Sequence, residues 1–469
     1  MRRPETDRGR ILLLGCLAVA VAVFTATVPL LRDWFDLRVY YGTVNTWIHH
    51  GGRVYDYRVP GTPYGFTYPP FAAVAMLPMA LVGLRTAIAG ALLLNLAALA
   101  VVARVLAGPR WRRHGWYGVG LAACVLALFE PLRDTFSFGQ VNLVLLALVL
   151  TDCLLLANGR GRWAGVGIGL AAAIKLTPAL FIGLLLVARR WRAAAVATAV
   201  TIVATAFAAV VAPDASRFYW TEAMWDTTRV GRLDYVSNQS LQGVLARLGV
   251  DSHAVWAVVV VVTLGVWARR TRGAVAAGDW QAAFALTGVT ACLVSPVTWV
   301  HHLVWLLPSF AVLVRTGHAR VAGGLYAVLC TSVVWLWFDD ASGVDGFLGS
   351  NIYTWVTLAL LLFLPVGHLH GERRTTAAST SATKAAPSAA APAIPVVANQ
   401  PGPVSSPAEA ADADEGVAGD GEAGTGSVAA SAVGCGPGRG RPRSASSEPT
   451  GSTRPAASNP QSSSSRASS

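Results

Sequence analysis

Residues 11–31 read ILLLGCLAVAVAVFTATVPLL, a run without a single charge. Its length is close to the roughly twenty apolar residues that a helix needs to cross a bilayer. The ten residues before it, MRRPETDRGR, are basic enough to open a signal peptide. The run is nevertheless long for a signal core and lacks a small-residue cleavage motif, so it is read as a retained anchor.

Further apolar runs recur along the chain, and composition supports the same reading. Of 469 residues 54% are hydrophobic and 13% charged, about half the charged fraction of an ordinary soluble domain, which is roughly 25%. The net charge of +12 does not describe a nucleic-acid groove. Arginines sit in short blocks between apolar runs, at Arg110, Arg112 and Arg113; Arg160 and Arg162; Arg189, Arg190 and Arg192; and Arg269, Arg270 and Arg272. That is the pattern of cytoplasmic loops in a multi-pass protein. The six cysteines are scattered and suggest neither a disulfide framework nor a zinc site.

Taking the arginine blocks as cytoplasmic predicts an all-α polytopic membrane protein of about ten to twelve transmembrane helices with large external loops, at 32–67 and 212–250. Residues 163–187, WAGVGIGLAAAIKLTPALFIGLLLV, lie between two such blocks and are too few for two full spans. Two half-helices meeting near Lys175-Leu176-Thr177-Pro178 would fit, an arrangement tolerated where broken helices line a cavity. Tyr68-Pro69-Pro70 is expected to open a re-entrant or interfacial piece rather than a full crossing. The membrane domain is predicted to occupy residues 1–370. Residues 371–469 are mostly Ala, Ser, Pro, Gly and Thr, and are read as a disordered cytoplasmic tail.

The remaining polar residues gather at the external ends of the predicted spans: Asp33 and Asp36; Tyr68; Glu130, Arg133 and Asp134; Gln140 and Asn142; Lys175; Asn238 and Gln239; His301 and His302. Ionisable groups at membrane depth are costly and point to function. Asp36, between aromatic residues just beyond the first run, suits a general base on a hydroxyl; it could equally cap a helix or sit at the interface. Lys175 suits an anion such as phosphate, or an ion pair with Glu130 or Asp134. Adjacent histidines point apart on a helix, so at most one of His301 and His302 is expected to face a cavity. No HExxH motif, Walker loop or GxSxG elbow in a suitable context appears, and no metal or cofactor is expected.

Two function classes fit these features: an enzyme working on lipid-linked substrates, and a secondary transporter or lipid-linked sugar flippase. A transporter site would lie near the midplane between repeated halves, and the sequence shows no convincing internal repeat.

Several short segments, taken in order, resemble the actinobacterial GT-C type polyprenyl-phosphate-mannose-dependent α-1,2-mannosyltransferases, glycosyltransferase family 87. They are Asp36-Leu37-Arg38-Val39-Tyr40; Tyr55 and Tyr68-Pro69-Pro70-Phe71; Glu130-Pro131 through Gly139-Gln140-Val141-Asn142; Lys175-Leu176-Thr177-Pro178; Ser237-Asn238-Gln239-Ser240; and Ser295-Pro296-Val297-Thr298-Trp299-Val300-His301-His302.

The resemblance implies a GT-C fold in the plasma membrane with its site facing outward. It implies a polyprenyl-phosphate-mannose donor, a mannosylated glycolipid or lipoglycan acceptor, and Asp36 as catalytic base. Lys175, Arg133, His301 and His302 become candidates for the donor phosphate. Glu130, Gln140, Asn142, Asn238 and Gln239 become candidates for the sugar, and Tyr68, Pro69 and Pro70 shape the cavity.

Overall fold

The computed structural model describes residues 6–27, 32–108, 110–159, 161–339 and 341–367. The tail at 371–469, the last residues of the first apolar run and Arg160 lie outside them. The described residues fall within one unit of the chain, Met1–Ser388.

Among the described residues the fold is helical, with a single isolated antiparallel bridge between Arg58 and Gly65. In chain order the helices are α1 (Asp7–Thr27), α2 (Phe35–His49), α3 (Pro70–Ala75), α4 (Leu84–Ala107), α5 (Arg110–Leu128, kinked at Gly115), α6 (Glu130–Phe138) and α7 (Asn142–Ala157). α8 (Val166–Ile174), α9 (Leu180–Val187), α10 (Trp191–Val211), α11 (Pro213–Phe218), α12 (Leu241–Arg247) and α13 (His253–Ala276) follow. The last are α14 (Trp280–Val294), α15 (Leu307–Arg315), α16 (Ala319–Cys330), α17 (Gly343–Ser350) and α18 (Ile352–Phe363).

The helices support the all-α, multi-spanning reading, although full-length helices alone do not make up the expected ten to twelve among the described residues. Four helices, α1, α4, α10 and α13, are long and apolar enough to cross a bilayer, and the bent pairs α5–α6 and α17–α18 bring the number to six. The rest of the apolar sequence forms shorter helices, such as α7, α14 and α16. Proline and glycine account for several of the breaks. Pro178 lacks an N–H and disfavours helix in the residue before it. The chain accordingly leaves α8 at Lys175, which is extended (φ −146°, ψ 133°), turns through a 3₁₀ segment at Thr177–Ala179 and resumes as α9. The half-helices expected around Lys175 are therefore present.

α14 is buried on nearly every face, as expected of a helix that is apolar all round, and it forms the axis of the main core with α7, α9, α15 and α18. α8 packs against α10 and α7 through glycines. A methyl group on Gly167 would come within 2.4 Å of the Leu148 carbonyl, and one on Gly169 within 2.5 Å of the Ala197 carbonyl, so only glycine allows this approach between backbones.

A second apolar cluster joins α2, the 54–66 loop, α3 and α11, through Leu37, Tyr40, Val44, Tyr55, Phe66 and Tyr219 among others. The segment expected as the first external loop is thus not an open loop. Leu37, Tyr40 and Val44 recur at helical spacing and make α2 amphipathic. Val141 and Ile174 pack against both clusters. These are the neighbours of Gln140, Asn142 and Lys175, so the conspicuous polar residues stand at the seam between the helical core and the cap.

Candidate active site

α2 enters through two consecutive residues in the left-handed region, Asp33 (φ 45°) and Trp34 (φ 54°), a conformation that non-glycine residues adopt only under constraint. The Trp34 N–H donates to the Ser137 carbonyl at 3.0 Å, fixing the turn to the end of α6. Asp36 follows in the first turn of α2, where the helix dipole favours a carboxylate.

Opposite it, α6 ends on Gly139 (φ 70°), and the Gln140 N–H closes the turn on the Thr135 carbonyl at 2.9 Å. Gln140 Nε2 donates to Asp36 Oδ2 at 2.7 Å, while its Oε1 accepts from the Tyr68 hydroxyl at 3.0 Å and from Asn142 Nδ2 at 3.3 Å. The Tyr40 hydroxyl, one helical turn beyond Asp36, donates to that of Tyr68 at 3.0 Å.

The break between α8 and α9 delivers Lys175 to the same place. Its Nζ donates to Asn142 Oδ1 at 3.1 Å and to the Tyr68 hydroxyl at 3.3 Å, lies 2.7 Å from His302 Nε2, and stands 5.0 Å from the centre of the Tyr68 ring. His302 Nδ1 accepts from the Trp299 N–H at 3.2 Å, which orients the ring. Asp36, Tyr68, Gln140, Asn142, Lys175 and His302 therefore form one connected network, with a carboxylate at one end and an ammonium and imidazole at the other. Among the described residues no three His, Cys, Asp or Glu side chains come together as a metal site.

Burial pushes the Asp36 carboxyl up to about 6; the Gln140 hydrogen bond and the Lys175 charge oppose the shift, and Asp134 adds to it. A base with that affinity is mostly ionised at neutral pH yet still holds a proton usefully. Burial also raises the phenols of Tyr68 and Tyr40 above the usual tyrosine range, so both act as neutral donors.

Other expected site residues are placed elsewhere. Arg133 Nη2 donates to Ser332 Oγ at 3.1 Å, and its guanidinium stacks over Phe24 at 5.2 Å. Glu130 is fully buried and accepts from Trp335 Nε1 at 2.6 Å and from the Tyr353 hydroxyl, tying α6 to α18. Neither ion-pair alternative for Lys175 is realised, since Asp134 pairs with Arg32 Nε at 3.2 Å.

Asn238 holds the Leu233 and Pro296 carbonyls and the Thr298 N–H. Gln239 bonds Val236, Ser350 and Thr354. These two residues brace the segment leading to His302 and do not join the network. Of the two histidines only His302 does; His301 packs edge-on against Phe138 at 5.1 Å. Pro69 caps α3 and Pro70 is its first residue, which sets the direction of the chain leaving Tyr68. Tyr40, which closes the Asp36–Tyr40 segment quoted above, stands one turn after Asp36 and so on the same face of α2. Arg32, next to the predicted anchor, was passed over.

The family model for glycosyltransferase family 87 matches residues 66–296, which include Tyr68, Gln140, Asn142 and Lys175 but neither Asp36 nor His302. A Mycolicibacterium smegmatis protein named polyprenol-phosphate-mannose-dependent alpha-(1-2)-phosphatidylinositol mannoside mannosyltransferase is 32% identical over 370 residues, 74% of this chain and 76% of the relative. The chain belongs to glycosyltransferase family 87. A Mycobacterium tuberculosis family member of the same name is 33% identical over 308 residues, 61% of this chain and 71% of the relative. A second M. smegmatis member, named for a phosphatidylinositol pentamannoside acceptor, is 33% identical over 347 residues, 69% and 82%. No solved structure matches the chain.

Proposed function

We propose that this protein is an inverting mannosyltransferase that takes mannose from polyprenyl-phosphate-mannose and places it, in α-(1→2) linkage, on a phosphatidylinositol-mannoside type of glycolipid at the outer face of the plasma membrane. The observation that carries the proposal is the single hydrogen-bonded network joining the Asp36 carboxylate to Lys175 and His302. Membership of the family and the printed activities of its relatives supply the sugar and the two lipids.

In this reaction a bond forms between the acceptor hydroxyl oxygen and the anomeric carbon, and the bond from that carbon to the phosphate oxygen breaks. Asp36 Oδ1, which accepts no hydrogen bond from the described residues, takes the hydroxyl proton, while Gln140 holds Oδ2. Displacement from the opposite face inverts the β-linked donor to an α-linked product and needs only one carboxylate. The transition state resembles an oxocarbenium ion. The leaving phosphate gathers negative charge, which a protonated Lys175 stabilises, while His302 stands beside its Nζ and holds it in place.

Incubating the purified protein with polyprenyl-phosphate-mannose and a panel of mannosylated lipid acceptors, followed by linkage analysis, tests the proposal. An α-(1→2)-extended lipid is the expected product. Recovery of unchanged lipid-linked sugar, moved from one leaflet to the other of a vesicle, would establish the flippase reading instead.

A further inference from the structure

A second cavity lies outside this network. It encloses about 240 Å³ and is lined by Tyr55, Tyr57, Arg58, Asp226, Thr228 and Arg229 among others. That is less than the roughly 300–1,000 Å³ of a pocket for a drug-sized molecule, and suits a small polar fragment.

Its walls are built by two segments. Residues 58–65 form a tight hairpin, with the Arg58–Gly65 bridge and the Val59 N–H donating to the Tyr64 carbonyl at 3.0 Å. The other wall is the turn after α11. Arg58 is anchored by Nη1 on the Pro63 carbonyl at 3.1 Å. Arg229 lies over the Phe218 ring at 5.1 Å, and its Nε is buried without a hydrogen-bond partner in the protein. A buried N–H of a cation with no partner is costly, and Arg229 is one of the residues that line the cavity. The carboxylate that shares the pocket is already engaged: Asp226 Oδ1 accepts from the Thr228 N–H at 3.0 Å and from its hydroxyl at 2.5 Å. Asp226 keeps its charge and is felt by Arg229, but two guanidiniums outnumber the one carboxylate, so the cavity favours an anion.

Its place in the chain, shortly after a helix apolar enough to cross a bilayer, points to where the anion comes from. α10 is an apolar span ending at Val211, and Phe218 lies one short helix further on. Trp220 and Trp225, beside the pocket in sequence, are 37% and 73% exposed, as tryptophans at a membrane–water interface are. If α10 crosses the bilayer, this end of it comes out among the phosphates of the lipid headgroups. The pocket also touches the active site, because the Tyr55 hydroxyl donates to the Tyr68 carbonyl at 2.8 Å.

We propose that this pocket binds the phosphate of an anionic phospholipid headgroup, and that it holds the lipid acceptor by its phosphodiester while the sugar reaches Asp36. The second half of this proposal rests on the mannosyl-transfer reading above.

The test uses the full chain in phosphatidylcholine nanodiscs. Calorimetric titration compares dihexanoyl phosphatidylinositol, dihexanoyl phosphatidylcholine and inorganic phosphate, without donor. The inositol lipid should bind most tightly, and the Arg58→Gln/Arg229→Gln pair should weaken it about ten-fold, as expected for the loss of charge-assisted hydrogen bonds. Arg229→Lys alone, which keeps the charge, should retain most of the affinity and guards against a folding defect. Inorganic phosphate binding as tightly as the lipid would overturn the headgroup assignment, and undiminished lipid binding by the double variant would overturn the site.

In the transfer assay the double variant should raise the acceptor KM about ten-fold while kcat and donor KM hold. A rise in donor KM alone would refute the positioning role. Because the titrations contain no donor, a failure of mannosyl transfer leaves their outcome intact.

Discussion

Gln140 Nε2 donates to Asp36 Oδ2 across 2.7 Å, joining the start of α2 to the link between α6 and α7. The amide cannot turn over without loss, because Oε1 already accepts from Tyr68 and Asn142. One glutamine thus sets both the direction of the carboxylate and its connection to Lys175.

Replacing the carboxylate should remove the base. Asp36→Asn and Asp36→Ala are expected to lower kcat by roughly two to four orders of magnitude, with normal membrane insertion. Full activity of the purified Asn variant would end the general-base role.

The pH dependence has a defined sign. Only ionised Asp36 accepts a proton, and burial holds its carboxyl near about 6. kcat/KM should therefore climb as pH rises through about 6. The Gln140 hydrogen bond favours the ionised form, so Gln140→Leu should move that limb to higher pH. A limb that stays in place in the variant would disconnect Gln140 from the titration.

Lys175→Met removes the charge while keeping much of the length. If the ammonium faces the leaving phosphate, donor KM or kcat should suffer by roughly ten-fold or more, with acceptor KM little changed. Equal damage to both substrates, measured by steady-state kinetics, would assign Lys175 to general shaping of the site.

Lys175 also shows what a sequence can disclose. Its place at a break follows from Pro178 and from the distance between flanking arginine blocks, both local facts. The convergence of Asp36, Gln140, Asn142 and His302 was suggested by their gathering at one side, and hydrogen bonds now connect them. Glu130, Asn238 and Gln239 could not be sorted the same way. A buried amide that braces a turn and one that awaits a sugar have the same composition, and only the partners distinguish them: the Trp335 and Tyr353 donors for Glu130, the Ser350 carbonyl and Thr354 N–H for Gln239. The span count is a related case: among the described residues four helices and two bent pairs are long and apolar enough to cross a bilayer, and the other apolar helices are shorter. A short buried helix such as α14 is as apolar as a membrane span, and hydropathy does not separate the two.

Glu130 provides a contrasting variant. Glu130→Ala leaves the Trp335 N–H and the Tyr353 hydroxyl without their buried acceptor, at a cost of about 1–3 kcal/mol for each. Thermal unfolding in detergent should show a clearly lower Tm, whereas the catalytic pH limb should not move. A shifted limb with an unchanged Tm would place Glu130 in the chemistry after all.

Gly139 tests whether the seam between α2 and α6 is as close as it needs to be. Its φ of 70° favours glycine, and a methyl group there would lie 2.6 Å from Leu37 Cβ, next to Asp36. Gly139→Ala should push α2 away and lengthen the Asp36–Gln140 contact; a displacement near 1 Å can cost about a hundred-fold in rate. Gly139→Asn separates the two causes. Asparagine tolerates the left-handed conformation but carries the same Cβ. If contact with Leu37 dominates, Asn should be as inactive as Ala while both variants still insert and bind donor. Recovery of activity with Asn would show that backbone strain, rather than the closeness of the two helices, is what glycine relieves.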